Sequence, residues 1–175
     1  VFLPLVYLLY WFLFQKHLKL RNFFLLTASY VFYGFWDWRF LSLILISSLM
    51  DYILAMQIHA TQPEQKNKRK VLLVLSLVLN LGFLGFFKYY NFFVESFIAT
   101  FTLFGKEFSY SPMYIILPVG ISFYTFQSLS YTLDVYFKKM DPTRNLINFL
   151  AFVSFFPQLV AGPIERAKNL LPQFD

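Results

Sequence analysis

Six residues, Gly120, Tyr124, Gln127, Tyr131, Asp134 and Lys138, follow one another at steps of four, three, four, three and four. At helical periodicity that spacing places them on one face of a single helix, among Ile, Leu, Val and Phe. Polar side chains in such apolar surroundings are costly without partners, so the row should face a bundle interior or a wet cavity. The plain alternative makes Gln127 and Ser130 interhelical hydrogen-bonding residues and pairs Asp134 with Lys138 at i+4. The row as a whole points to a site more than any one of its members does.

A second carboxylate, Asp51, lies mid-way along an apolar run, with Ser47 and Ser48 before it and Ala55 after it. An acid at that depth is a functional candidate by default, and a hydrogen-bonded packing contact or a protonated acid is the open alternative. Ser76, Asn80 and Leu84 share a face with Lys88 and read as interhelical hydrogen bonding. The two histidines, His17 and His59, fall in basic gaps without a carboxylate nearby in sequence, and read as solvated loop residues. There is no cysteine. No His-Glu-x-x-His, Gly-x-Ser-x-Gly or phosphate-binding glycine loop occurs, so zinc hydrolysis, α/β-hydrolase chemistry and P-loop nucleotide turnover have no motif to stand on.

The elements that must carry these residues follow from composition. Of 175 residues, 58% are apolar and only 14% charged, against about 25% charged in ordinary soluble domains. That excludes a soluble domain and disorder alike. The fold class expected is all-α, a polytopic membrane protein of five to six transmembrane helices, the last broken or re-entrant. The net charge of +6 comes from Lys and Arg in short gaps between apolar runs, which sets membrane orientation and gives no nucleic-acid face.

The runs are 1–14, 23–38, 40–58, 71–94, 113–137 and 146–164. The first reads as a spanning helix that lacks its start. An aromatic knot, Tyr33-Gly34-Phe35-Trp36-Asp37-Trp38-Arg39-Phe40, marks a tight interfacial turn between the second and third. Residues 59–70 read as a solvated loop, and the mixed stretch from Glu95 to Pro112 as a segment lying along the interface. In the sixth run Pro157, Gly162 and Pro163 break helical continuity around Gln158, as a segment lining an aqueous or ligand-filled funnel would, or as a kinked structural helix. Alternate gaps carry ten basic residues against two, so the positive-inside rule puts the basic gaps in the cytoplasm. Arg166 and Lys168 fit that scheme only if the sixth run turns back.

Several blocks closely resemble the membrane-bound O-acyltransferase family, and within it the bacterial branch that acetylates exported polysaccharides such as alginate. They are Leu117-Pro118-Val119-Gly120-Ile121-Ser122-Phe123-Tyr124-Thr125-Phe126-Gln127, then Tyr131 and Asp134-Val135-Tyr136, then Phe156-Pro157-Gln158-Leu159-Val160-Ala161-Gly162-Pro163-Ile164 with Arg166. Ser29-Tyr30-Val31-Phe32-Tyr33-Gly34-Phe35-Trp36 and Phe87-Lys88-Tyr89-Tyr90-Asn91-Phe92-Phe93 also match. The resemblance implies a multi-pass enzyme of the bacterial inner membrane that moves an acyl group, usually acetyl, from a cytoplasmic donor such as acetyl-CoA or an acyl carrier to a polysaccharide acceptor. No bound cofactor is implied. It also implies an extracytoplasmic esterase-like or acetyltransferase partner.

Family members are more than twice as long and take their membrane-buried catalytic histidine from a later helix, which neither His17 nor His59 matches. Residues 1–175 are therefore expected to be the amino-terminal part of a single transmembrane domain, contributing Gln127, Asp134, Gln158 and Arg166 to the walls of the substrate funnel. The rival reading is half of a transporter or flippase, with Asp51 and Asp134 as coupling sites; a non-enzymatic scaffold of a secretion complex is a third.

Overall fold

The computed structural model describes residues 2–13, 17–103, 114–160 and 165–174. Every regular element among them is helical: α1 Phe2–Leu13, α2 Leu18–Asp37, α3 Leu41–Ala60, α4 Lys66–Leu103, α5 Ile121–Tyr136, α6 Leu146–Val153, α7 Phe156–Val160 and α8 Ala167–Leu170. Short 3-10 turns occupy Trp38–Phe40 and Leu171–Phe174. Two stretches, Leu18–Ala60 and Lys66–Leu103, are long and apolar enough to cross a membrane. In the second only 17% of the apolar window is buried inside the protein. Val71, Val74, Leu75, Val78 and Leu81 point outward from it, an apolar surface that water would penalise and hydrocarbon would not.

The aromatic knot is a tight turn, as expected. Asp37 Oδ1 accepts from the Arg39 amide at 3.0 Å while its carboxylate holds the Arg39 guanidinium at 2.6–3.1 Å. The chain reverses there between α2 and α3, with Trp36 and Trp38 exposed at the rim.

Three expectations need correction. First, the basic loop is short, because helix resumes at Lys66 and leaves only Thr61 to Gln65 between α3 and α4. Second, α4 does not end near Val94 but continues through Glu95 to Leu103. No Pro or Gly interrupts that stretch, the Thr100 and Thr102 hydroxyls bond the carbonyls four residues back at 2.8 and 2.9 Å, and Phe97 stacks on Phe101. Its 38 residues reach about 57 Å at 1.5 Å per residue. The breakers Gly105, Lys106, Glu107 and 109–112 lie outside the described residues. Third, the run 113–137 is not one helix. Pro118 and Gly120 delay α5 to Ile121, so α5 has 16 residues and spans about 24 Å. The non-helical stretch before it is held by Asn91, whose side-chain amide donates to the Ile115 carbonyl at 2.8 Å and accepts from the Ile115 amide at 3.0 Å. Irregular backbone at this depth must find such partners within the protein.

The bundle core forms around α5, which packs on α3 and α4 on one side and on α6, α7 and α8 on the other. Tyr124, Tyr131, Phe149, Phe152, Ile44 and Ile58 are fully buried there. The basic gaps converge on one end of the bundle. Arg69 donates to the Tyr136 carbonyl at 2.8 Å, His59 approaches Asp141 at 3.8 Å, and Asn22 donates to Asn148 Oδ1 at 3.0 Å.

Residues 145–174 leave that end and come back to it. Asn145 caps α6 by accepting from the Ile147 amide at 3.0 Å. The same Asn22 that binds Asn148, one turn into α6, also donates to the Phe174 carbonyl. Both ends of the segment thus meet at the start of α2, and Phe155 packs on Phe174 at 6.0 Å between ring centres. Gly162 and Pro163 lie outside the described residues.

Candidate functional site

The sixth run breaks where its proline dictates. A proline at 157 clashes with the carbonyl four residues earlier in a continuous helix, and α6 ends at Val153; Pro157 then sits in the first turn of α7, where its missing amide is no loss. The break separates the Phe152 carbonyl from the Phe156 amide, which would pair in an unbroken helix. Each finds a side chain instead. Gln127 Nε2 of α5 donates to the Phe152 carbonyl at 2.9 Å, and Ser29 Oγ of α2 accepts from the Phe156 amide at 3.3 Å. The second hydrogen of the Gln127 amide goes to Gln158 Oε1 at 3.0 Å.

The start of α5 is fitted against the same segment. Gly120 adopts φ +75, and a Cβ built on it would stand 3.0 Å from the Leu159 carbonyl. The position requires glycine twice over, for its left-handed backbone and for its closeness to α7. Tyr33 of α2 donates its hydroxyl to the Val119 carbonyl at 3.0 Å just before the turn.

The row on α5 faces inward as expected: Tyr124, Gln127, Tyr131 and Asp134 are all buried, and Lys138 lies beyond the helix end, exposed. Of the four funnel candidates the structure joins two, Gln127 and Gln158. Asp134 is buried toward the basic end, its Oδ2 without a hydrogen-bond partner among the described residues. The i+4 pairing with Lys138 does not form. Lys138 turns out of the helix at φ 57, and the ion pairs among the described residues are Asp37 with Arg39 and His59 with Asp141. Arg166 is exposed at the start of α8 and is not brought to the glutamine pair.

Asp51 resolves as a hydrogen-bonded hub. Ser76 Oγ donates to its Oδ1 at 2.6 Å, Asn80 Nδ2 reaches both oxygens at 2.8 Å, and Ser128 Oγ of α5 lies 3.5 Å from Asn80 Oδ1. The carboxylate is wholly buried and ties α3 to α4, with α5 joined through Asn80. Ser47 and Ser48 serve their own helix, both bonding the Ile44 carbonyl. His59, read as a loop residue without a carboxylate partner, sits in the last turn of α3 beside Asp141 from the far side of the bundle end.

A cavity of about 290 Å³ adjoins the break, bounded by Val6, Tyr10, Arg21, Phe155, Phe156 and Pro157. Its walls are apolar apart from one end, where Arg21 and Asn22 stand. The broken segment therefore fronts a half-open hollow between α1 and α2. Among the described residues no three Asp, Glu or His side chains come together as a metal site. Ser29, Asn22 and Asn148 were not legible as site residues in the sequence. The only signal was a small or amide side chain within an otherwise greasy helix.

Compared with known proteins, the whole chain aligns, 43% identical over 175 residues, with the probable alginate O-acetylase AlgI of Azotobacter vinelandii, covering 34% of that protein. The chain is thus similar along its whole length to a bacterial alginate O-acetylase. Its Pseudomonas putida relative of the same description is also 43% identical, with all of this chain and 35% of the relative covered. The peptidoglycan O-acetyltransferase of Helicobacter pylori is 34% identical over 199 residues, with 99% of this chain and 36% of the relative covered. The chain thus spans about a third of the length of the curated O-acyltransferase relatives it matches. No family model matches it. No solved structure matches it either.

Proposed function

We propose that the intact protein is a multi-pass O-acyltransferase of the bacterial inner membrane, moving an acetyl group from a cytoplasmic donor to hydroxyls of an exported polysaccharide or cell-wall polymer. The observation that carries this reading is the 43% identity of the entire chain to an alginate O-acetylase. The 34% identity to a peptidoglycan O-acetyltransferase supports the same chemistry with a different polymer. On this reading α1 to α5 cross the bilayer and residues 145–174 form a re-entrant segment opening on the basic, cytoplasmic side.

The donor is acetyl-CoA or an acylated carrier, and an extracytoplasmic esterase-like or acetyltransferase protein completes the delivery. The base that takes the acceptor proton is a histidine outside residues 1–175. The part played by this chain is architectural and electrostatic. Gln127 keeps the broken segment open at the Phe152 carbonyl, Gln158 lies at its tip, and the Phe and Leu around them hold water away from a hydrolysable donor. Asp134 and Arg166 belong to the cytoplasmic approach to that path. The transporter reading draws no support from relatives named for acyl transfer. Deleting the gene in its host should remove O-acetyl groups from the exported polymer without stopping polymer synthesis. An unchanged acetyl content would reject the proposal.

A further inference from the structure

At the basic end of the bundle the last turn of α3, the first turn of α4 and the turn after α5 enclose a second cavity of about 270 Å³. His59, Arg69, Lys138 and Asp141 line it, with Thr61 and Val135 as its walls. Two features of this corner run against ordinary helix chemistry.

The first is charge. The amino-terminal end of a helix carries partial positive charge and favours acids. Yet α4 opens with Lys66, Lys68, Arg69 and Lys70, and its first turn holds no acid. The carboxylates nearest in the chain and in the cavity, Glu64 and Asp141, are exposed to solvent. Arg69 spends one nitrogen on the Tyr136 carbonyl at 2.8 Å and lies over the Tyr136 ring, while its buried Nε has no hydrogen-bond partner among the described residues.

The second is backbone. The α5 terminus forms a Schellman turn: the Lys139 amide bonds the Asp134 carbonyl at 2.8 Å and the Lys138 amide bonds the Val135 carbonyl at 3.1 Å. Glycine is the residue this turn prefers at its left-handed position. Lys138 occupies it at φ 57, and its side chain lines the cavity. A strained non-glycine residue whose side chain borders a pocket points to a use for that side chain.

We propose that this pocket binds a phosphate group, with Arg69 and Lys138 as its cationic arms. A guanidinium with unspent hydrogens beside an exposed ammonium suits the tetrahedral, multiply charged oxygens of phosphate. Assigning that phosphate to the carrier portion of the acyl donor rests on the acyl-transfer reading above; the phosphate site itself does not. An anionic lipid headgroup offers the same chemistry.

The test is binding to the intact protein in nanodiscs of neutral phosphatidylcholine, titrated with coenzyme A and, in a separate arm, with phosphatidylglycerol added to the discs. Lys138→Gly relieves the strained turn, so its melting temperature should match or exceed that of the parent, while phosphate-dependent binding should weaken about tenfold. Arg69→Gln should weaken it at least as much, and Lys66→Gln, on the same turn but off the cavity, should leave it within about twofold. Coenzyme A binding with this pattern assigns the donor. Phosphatidylglycerol binding with this pattern, without coenzyme A binding, keeps the site and assigns it to lipid. Binding of neither, or equal weakening by Lys66→Gln, overturns the site. Because binding is read without turnover, a protein that binds coenzyme A in this way but transfers no acetyl group counts against the acyl-transfer reading alone.

Discussion

The Phe156 amide and the Phe152 carbonyl, one helical turn apart, do not bond to each other: Ser29 Oγ takes the amide at 3.3 Å and Gln127 Nε2 donates to the carbonyl at 2.9 Å. A broken segment in apolar surroundings is stable only if both orphaned groups are met. Here they are met by two different helices, so the break is fixed in place by α2 and α5 together.

Removing either partner should therefore cost what an unsatisfied buried backbone group costs. Gln127→Leu should lower stability by about 1–3 kcal/mol, and Ser29→Ala by about 1 kcal/mol. Thermal unfolding of the purified protein in detergent measures both. A Gln127→Leu variant that melts with the parent would show that the break does not depend on this amide.

Gly120→Ala should destabilise more sharply than its size suggests. A left-handed backbone costs a non-glycine residue about 1–2 kcal/mol, and the new methyl would meet the Leu159 carbonyl, a backbone atom, at 3.0 Å. Gly82, where a Cβ meets nothing within 4 Å, is the internal control, and Gly82→Ala should be neutral or mildly stabilising. Equal melting temperatures for the two variants would contradict the close approach of α5 and α7.

Much of this arrangement was legible in the sequence, because apolar runs and their polar interruptions carry a strong signal. The inward row on α5, the turn at Asp37 and Arg39 and the break near Pro157 follow from residue type and spacing. The extent of α4 did not, since Glu95 and Ser96 look like an exit from an apolar run although nothing in them stops a helix. The partners of Asp51 and Gln127 were hidden for another reason. Ser76, Asn80, Phe152 and Gln158 come from other helices, and the pattern of one helix shows which of its residues face inward but not which neighbour they meet. The missing Asp134–Lys138 pair shows the same limit locally, because the helix ends at Tyr136, two residues short of Lys138, and i+4 geometry no longer applies.

The Asp51 hub predicts strong coupling between two positions. Asp51→Ala strands the Ser76 and Asn80 donors, and Asn80→Ala strands the carboxylate, so each alone should cost about 2–4 kcal/mol. The double variant should cost clearly less than their sum, with a coupling energy of about 1–3 kcal/mol in a double-mutant cycle. Additive effects would mean that the two side chains do not share one network.

The re-entrant course proposed for residues 145–174 makes a labelling prediction. With no cysteine in this chain, single cysteines at Gln62 and Gln173 should react with an impermeant thiol reagent from the same side of the membrane, and a cysteine at Ser42 from the opposite side. Labelling of Gln173→Cys together with Ser42→Cys would place the end of the segment across the bilayer and refute the return.

The most direct test of the account is acetyl transfer by the intact protein reconstituted in proteoliposomes with the extracytoplasmic partner proposed above, a labelled acetyl donor on the side of Lys66 to Lys70, and polysaccharide or peptidoglycan acceptor opposite. The account predicts label on the acceptor, falling about tenfold or more when Gln127, Asp134, Gln158 and Arg166 are all replaced by alanine in a protein that still folds. Transfer at the parental rate by that variant, or no transfer by the parent, would contradict it.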